Sequence, residues 1–303
     1  MKILNNPQIN KKIFIFYDDH SNIKYCNEKK PQTFVSDLFE SFLKINNDIV
    51  LILEEPFMEP DSKIKILWED SEHLLLFRKF YGKLINKCSN EKICKIFPFD
   101  IRLSLFDISP DEIIFNLDNP KQEYNIDCNK YFENIFYLFD LIEIKPESKS
   151  IIFFIKKVFS IYKESKFYKF LKKRIINFKN KYKIDTIPNT IYNLIKEHNI
   201  TSNFIYEEGF PYNNNHNDNF IDQLDKIASG IMEMYSIILI LLLPNKNIIL
   251  YSGYYHSNNL AYVLEKYYNF KKEYSKGNTN NIQDENNITN CLEINKKYIT
   301  FIE

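Results

Sequence analysis

The chain has 303 residues, with 40 Lys+Arg against 40 Asp+Glu, so it is long enough for one large domain or two small ones and has no charge excess that calls for a polyelectrolyte partner. At 45% hydrophobic and 16% aromatic residues it can bury a sizeable core, which excludes wholesale disorder and collagen-like or coiled-coil order. Only 5 glycines and three arginines (Arg78, Arg102 and Arg174) occur, so each is a better candidate than usual for a position where Asn or Lys would not serve. Cys26, Cys88, Cys94, Cys128 and Cys291 are widely spaced, with no CxxC pair and no secretory signal before them, a pattern that fits a reduced intracellular compartment. The longest apolar run, Ile237 to Leu243, is too short to span a bilayer and reads as core.

In chain order, Lys12 to Tyr17 is a short apolar β-type run that stops in the turn formers Asp18-Asp19-His20-Ser21-Asn22. From Thr33 to Ile45 apolar residues recur at helical spacing, and Asp48 to Leu53 then runs apolar into Glu54-Glu55-Pro56. Strands this continuously apolar belong in a sheet covered on both faces, so the first 56 residues read as a βαβ unit with a right-handed crossover. Asp70 to Cys88 reads as a helix, and Lys92 to Phe99 as a strand that runs into Asp100-Ile101-Arg102. Glu112 to Asn180 is rich in Phe, Tyr, Ile and Lys at mostly helical spacing, with a joint at Lys145 to Ser150. Glu207 to Asn219 is a polar loop, and Phe220 to Leu243 one long helix. Asn247 to Ser252 is a further strand, ending at Gly253-Tyr254-Tyr255-His256. A helix follows over Ser257 to Phe270, with Ser257 in the N-cap region. Lys271 to Asn290 is low-complexity and mobile in this reading, before a short strand at Tyr298 to Ile302.

The expected fold is therefore α/β, a mostly parallel central sheet flanked by helices. Residues 1–270 form one domain with a helical insertion at about 112–200, and 271–303 are a low-complexity segment with a terminal strand.

Four strand ends carry polar groups where an open α/β sheet places its ligands, beyond the carboxyl ends of the strands. They are Asp18, Asp19 and His20; Glu54 and Glu55; Asp100 and Arg102; and Gly253 and His256. Two imidazoles with one or two carboxylates can bind a divalent metal and hold a water; His20, His256 and Asp18 are the candidate ligands. Alternatively one imidazole serves as general base while Arg102 stabilises an anion. Gly253 stands between strand and helix, where the backbone turns sharply or lets a ligand come close. Strand-end Asp, Glu and His also cap helices and satisfy loops, so each residue alone has a purely structural explanation.

The order of these motifs resembles the superfamily that includes erythromycin esterase, the haem-binding ChaN proteins and the TraB and TIKI proteins. There a Gly-Glu-x-His and a second Gly-x-x-His sit at strand ends of an α/β core, with a Glu and an Arg between them. The matching positions are Tyr17-Asp18-Asp19-His20, then Glu54 or Glu55, then Arg102, then Gly253-Tyr254-Tyr255-His256; Tyr17 stands where the first Gly belongs and Asp18 replaces Glu. In composition, and in the Asp-Ile-Arg and Tyr-x-Gly-x-x-His elements, the chain also resembles proteins of large, amoeba-infecting DNA viruses. These resemblances imply a hydrolase acting on a small molecule or peptide, some members using a metal and others binding haem. His20, Glu54, Glu55, Arg102 and His256 would be its catalytic residues. The competing expectation is a non-enzymatic viral structural or host-interaction protein that keeps a degenerate α/β fold.

Lys166 to Lys183 is basic and aromatic and could meet nucleic acid or an anionic surface. The zero net charge argues against tight nucleic-acid binding, and an amphipathic helix with snorkelling lysines explains the pattern without a partner. Cys88 and Cys94 lack a second pair and read as packed thiols; His73, His198 and His216 read as surface or loop residues. No glycine-rich phosphate loop, His-Glu-x-x-His helix or Gly-x-Ser-x-Gly elbow is present.

Overall fold

A computed structural model describes residues 1–18, 33–34, 49–56, 94–102, 128–142, 151–184, 220–276 and 291–292. By contact density the chain divides into two compact units: Met1–Glu55, Pro60–Phe99 and Leu239–Glu303 make the first, and Pro56–Glu59 with Asp100–Ile238 the second.

The first unit is built on a six-stranded mixed sheet. Its strands are β1 (Lys2–Asn6), β2 (Lys11–Asp18), β4 (Ile49–Pro56), β5 (Cys94–Asp100), β6 (Asn247–Gly253) and β7 (Lys271–Ser275), in the order β5-β4-β6-β2-β1-β7. Ile13, Phe14, Ile15 and Phe16 in β2, Ile49 to Leu53 in β4 and Ile248 to Leu250 in β6 are all buried at consecutive positions. Both faces of these strands are thus covered, as the absence of in-out alternation predicted. Both β2 and β4 run parallel to β6, which lies between them. The first two long strands are therefore joined through β6, not to each other. The expected helix between them lies outside the described residues, except Thr33–Phe34. These two residues form strand β3, paired antiparallel with β8 (Cys291–Leu292).

Two strands escaped the sequence reading. β1 forms an antiparallel hairpin with β2, Lys2 opposite Ile15 and Asn6 opposite Lys11. Its turn includes Asn10 at φ 52°, a left-handed conformation that Asn tolerates. β7, read as mobile, instead adds antiparallel to β1 at the sheet edge. Its Glu273 accepts a hydrogen bond from Asn5 at 2.6 Å and pairs with Lys12 at 2.8 Å. Helix α5 (Tyr254–Tyr267) packs on β1, β2 and β6.

In the second unit the helical spacing is realised as α1 (Cys128–Leu138), α2 (Ile151–Ile161), α3 (Lys166–Lys181) and the larger part of α4 (Phe220–Leu242). Helix α3 starts at Ser165, whose hydroxyl accepts the Tyr168 N–H at 3.2 Å as an N-cap. It buries Phe167, Tyr168, Leu171, Ile175 and Phe178, a stripe at three-to-four spacing worth about 1.5–3 kcal/mol per fully buried large side chain. Phe139, Phe159 and Tyr168 pack together, with ring centroids 5.1–6.4 Å apart. Gly230 of α4 lets Leu171 approach so closely that a Cβ there would stand 2.6 Å from Leu171 Cδ2. Ile227 to Ile240 are all buried, with Ser229, Glu233 and Ser236 the polar residues among them. That all-round burial accounts for the long apolar sequence of α4. No helix among the described residues is long and apolar enough to cross a membrane.

Candidate functional site

The carboxyl ends of β2, β4 and β6 meet at the start of α5. The parallel register sets Asp18 beside Gly253 and Leu53 beside Tyr251, so one short stretch of sheet edge carries Asp18, Glu54 and Gly253. Glu54 is the residue that reaches across. Its Oε2 accepts the Gly253 N–H at 2.6 Å, and its Oε1 lies 3.6 Å from His256 Nε2. Both side chains are largely removed from water, His256 at 7% and Glu54 at 11% exposure.

Local sequence explains the geometry. Gly253 is the N-cap of α5 and has no side chain with which to cap it. The carboxylate of Glu54 therefore sits at the positive end of that helix, where a negative charge is favoured. His256 occupies the first turn, and a proton on its ring would meet the unfavourable end of the same dipole, which the carboxylate offsets. Gly253 has φ −53° and ψ 153°, so the chain passes directly from strand into helix there through a backbone conformation open to any residue.

A second polar group fixes the floor of this corner. Ser257 was expected in the N-cap region, but α5 begins three residues earlier and Ser257 lies fully buried inside it. Its hydroxyl is 2.6 Å from Ser252 Oγ, 2.9 Å from the Ser252 carbonyl and 3.1 Å from the Phe16 carbonyl. It ties the first turn of α5 to both β2 and β6. Tyr17 and Tyr254 close one side, their rings 5.5 Å apart. Burial, then the neighbouring Tyr254 and Glu265, push the Tyr17 phenol well above its usual range, so it stays protonated.

The other predicted residues fall out as follows. Arg102 belongs to the second unit, and its guanidinium grips the buried Asp100 two residues before it, Nε to Oδ1 and Nη2 to Oδ2, both at 2.9 Å. This local fork gives the Asp-Ile-Arg element a structural purpose. The backbone of Asp18 and Glu55 is described but not their side chains, and His20 lies outside the described residues. Among the described residues no three of His, Cys, Asp and Glu come together as a metal site. What the arrangement can do chemically is move a proton: a carboxylate beside an imidazole stabilises the imidazolium formed when the ring accepts one.

The chain matches no protein-family model, no curated protein and no solved structure.

Proposed function

We propose that the chain is a hydrolase of the erythromycin esterase and ChaN type, with its site at the carboxyl ends of β2, β4 and β6. The observation that supports this reading is the Glu54 carboxylate held against Gly253 N–H and 3.6 Å from His256 Nε2. In this reading His256 takes a proton from the attacking water, Glu54 stabilises the imidazolium, and the proton passes on to the leaving group. Glu55 keeps its expected role of orienting water. A divalent metal, in this reading, would be held by His256 together with His20 and Asp18.

The test compares wild type with His256→Ala and Glu54→Gln in a screen of nitrophenyl esters and short peptides, with metal content measured on the same preparations and circular dichroism confirming the fold. A turnover that drops by at least about 100-fold in His256→Ala supports the reading. No turnover in wild type, or turnover indifferent to both substitutions, overturns it. A second reading, a non-enzymatic viral structural or host-interaction protein, is favoured by the burial of His256, 6% exposed, and by the commitment of one Glu54 oxygen to the backbone.

A further inference from the structure

We infer that the groove between α3 and α4, in the second unit, is a binding site for single-stranded nucleic acid. The groove has a volume of about 730 Å³. From α3 it is lined at positions 170, 173, 174, 177, 178 and 181, and from α4 at positions 223, 226 and 227. These are three-to-four spacings, so each helix contributes a single stripe. Of the nine described lining residues four, Lys173, Arg174, Lys181 and Lys226, are cations, and none of these nine is a carboxylate. Net neutrality of the whole chain therefore conceals a local concentration of positive charge.

The second ingredient is a flat apolar surface at the same place. Phe170 is 47% exposed, its ring lies under the Arg174 guanidinium at 5.0 Å, and its plane is nearly parallel to that of Phe167, at 15° with centroids 6.4 Å apart. Arg174 is itself anchored, donating from Nη1 to the Lys226 carbonyl at 3.5 Å. An exposed ring capped by a fixed guanidinium is a platform on which a base can stack, while the flanking ammonium groups follow the phosphates. The α3 stripe from 170 to 181 is about 16 Å long, room for a few nucleotides. A double helix would present its phosphates outside and hide its base faces, so the exposed ring favours a single strand over a duplex. The sequence disguised the site because α3 alone reads as a solvated amphipathic helix; Gln223, Lys226 and Ile227 on a distant stretch complete it.

The test is fluorescence anisotropy of the full chain with a fluorescein-labelled 15-mer of deoxythymidine between 50 and 200 mM salt, with heparin as a polyanion that has no bases. Wild type is expected to bind the 15-mer with a logarithmic salt slope of about −2 to −3, from about −0.7 per phosphate contact. Lys173→Ala with Lys181→Ala, both exposed residues, is expected to flatten the slope by about 1.4. Phe170→Ala is expected to weaken the 15-mer about tenfold or more and to leave heparin unchanged. No binding at 50 mM salt, or binding that all three substitutions leave alone, overturns the proposal. Equal effects of Phe170→Ala on heparin and on the 15-mer overturn the stacking role and make the groove a simple polyanion surface.

Discussion

The Glu54 carboxylate, on β4, accepts the backbone N–H of Gly253, on β6, at 2.6 Å, across 199 positions of sequence. The N–H of the residue at which the strand passes into the helix is thus satisfied from the neighbouring strand. Removing the acceptor leaves a largely buried N–H unpaired, which costs about 1–3 kcal/mol. Glu54→Ala should therefore destabilise the protein by about 2 kcal/mol in urea denaturation. Glu54→Gln, which keeps an oxygen there, should lose less than about 1 kcal/mol. Equal losses would show that the hydrogen bond is not what matters.

Alkaline pH should weaken the fold through its buried phenols. Burial raises both Tyr168 and Tyr235 to about 12, with the charge of Asp140 adding to the effect at Tyr168. In the unfolded chain they titrate at about 10, so above that pH the unfolded state has lost protons that the folded state still holds. Stability from these groups is fully present below pH 10 and is lost as the pH rises toward 12. Denaturant midpoints measured from pH 8 to 12, with tyrosinate absorbance followed in parallel, should fall in that window. The fall should be shallower in Tyr235→Phe.

Gly230 and Leu171 should couple. A methyl at 230 would stand 2.6 Å from Leu171 Cδ2, and Leu171 is only 1% exposed, so the leucine has little room to yield. The better helix propensity of Ala, about 1 kcal/mol, is opposed by overpacking of about 1–3 kcal/mol. The expected signature is a double-mutant cycle: Gly230→Ala with Leu171→Ala should lose about 0.5–3 kcal/mol less than the sum of the single losses. Simple additivity would refute the close approach.

Lys11 closes the far end of α4. Its side chain is buried at 6% residue exposure, its ammonium donates to the Leu243 carbonyl just past that helix, and burial lowers its pKa. A cation is well placed at a helix carboxyl end, and a charge-assisted hydrogen bond contributes about 1.5–3 kcal/mol. Lys11→Met should lower stability by about 1–2 kcal/mol even though it adds apolar volume. An unchanged denaturation midpoint would show that water replaces the ammonium without loss.

The strands β2, β4 and β6 were legible because consecutive apolar residues have few alternatives to a sheet covered on both faces. Helices α3 and α4 were legible through their spacing. The two missed strands have no such signature. Lys2–Asn6 is short, and Lys271–Ser275 is almost wholly polar; β1 is held by pairing to β2, and β7 by pairing to β1, a tertiary effect that overrides propensity. At the site, Gly253 and His256 could be read as strand-end groups. Choosing Glu54 over Glu55 could not be done from sequence, because adjacent strand residues point to opposite faces and the register decides which one meets Gly253. Ser257 was misplaced for a related reason: the helix begins at Tyr254, directly after a glycine whose N–H is held by Glu54, and no cap rule looks that far along the chain.

The position of β6 between β2 and β4 also governs the order in which the molecule can be completed during synthesis. When Pro56 leaves the ribosome, the two central strands already made have no edge to share. The strand that zips them together emerges roughly 200 residues later, a delay of about 10–40 s at ordinary elongation rates. Throughout that interval the stretches Ile13 to Phe16 and Ile49 to Leu53, which end buried in the sheet, are without their shared neighbour. A nascent chain of this topology is a natural client for chaperones that shield apolar strands.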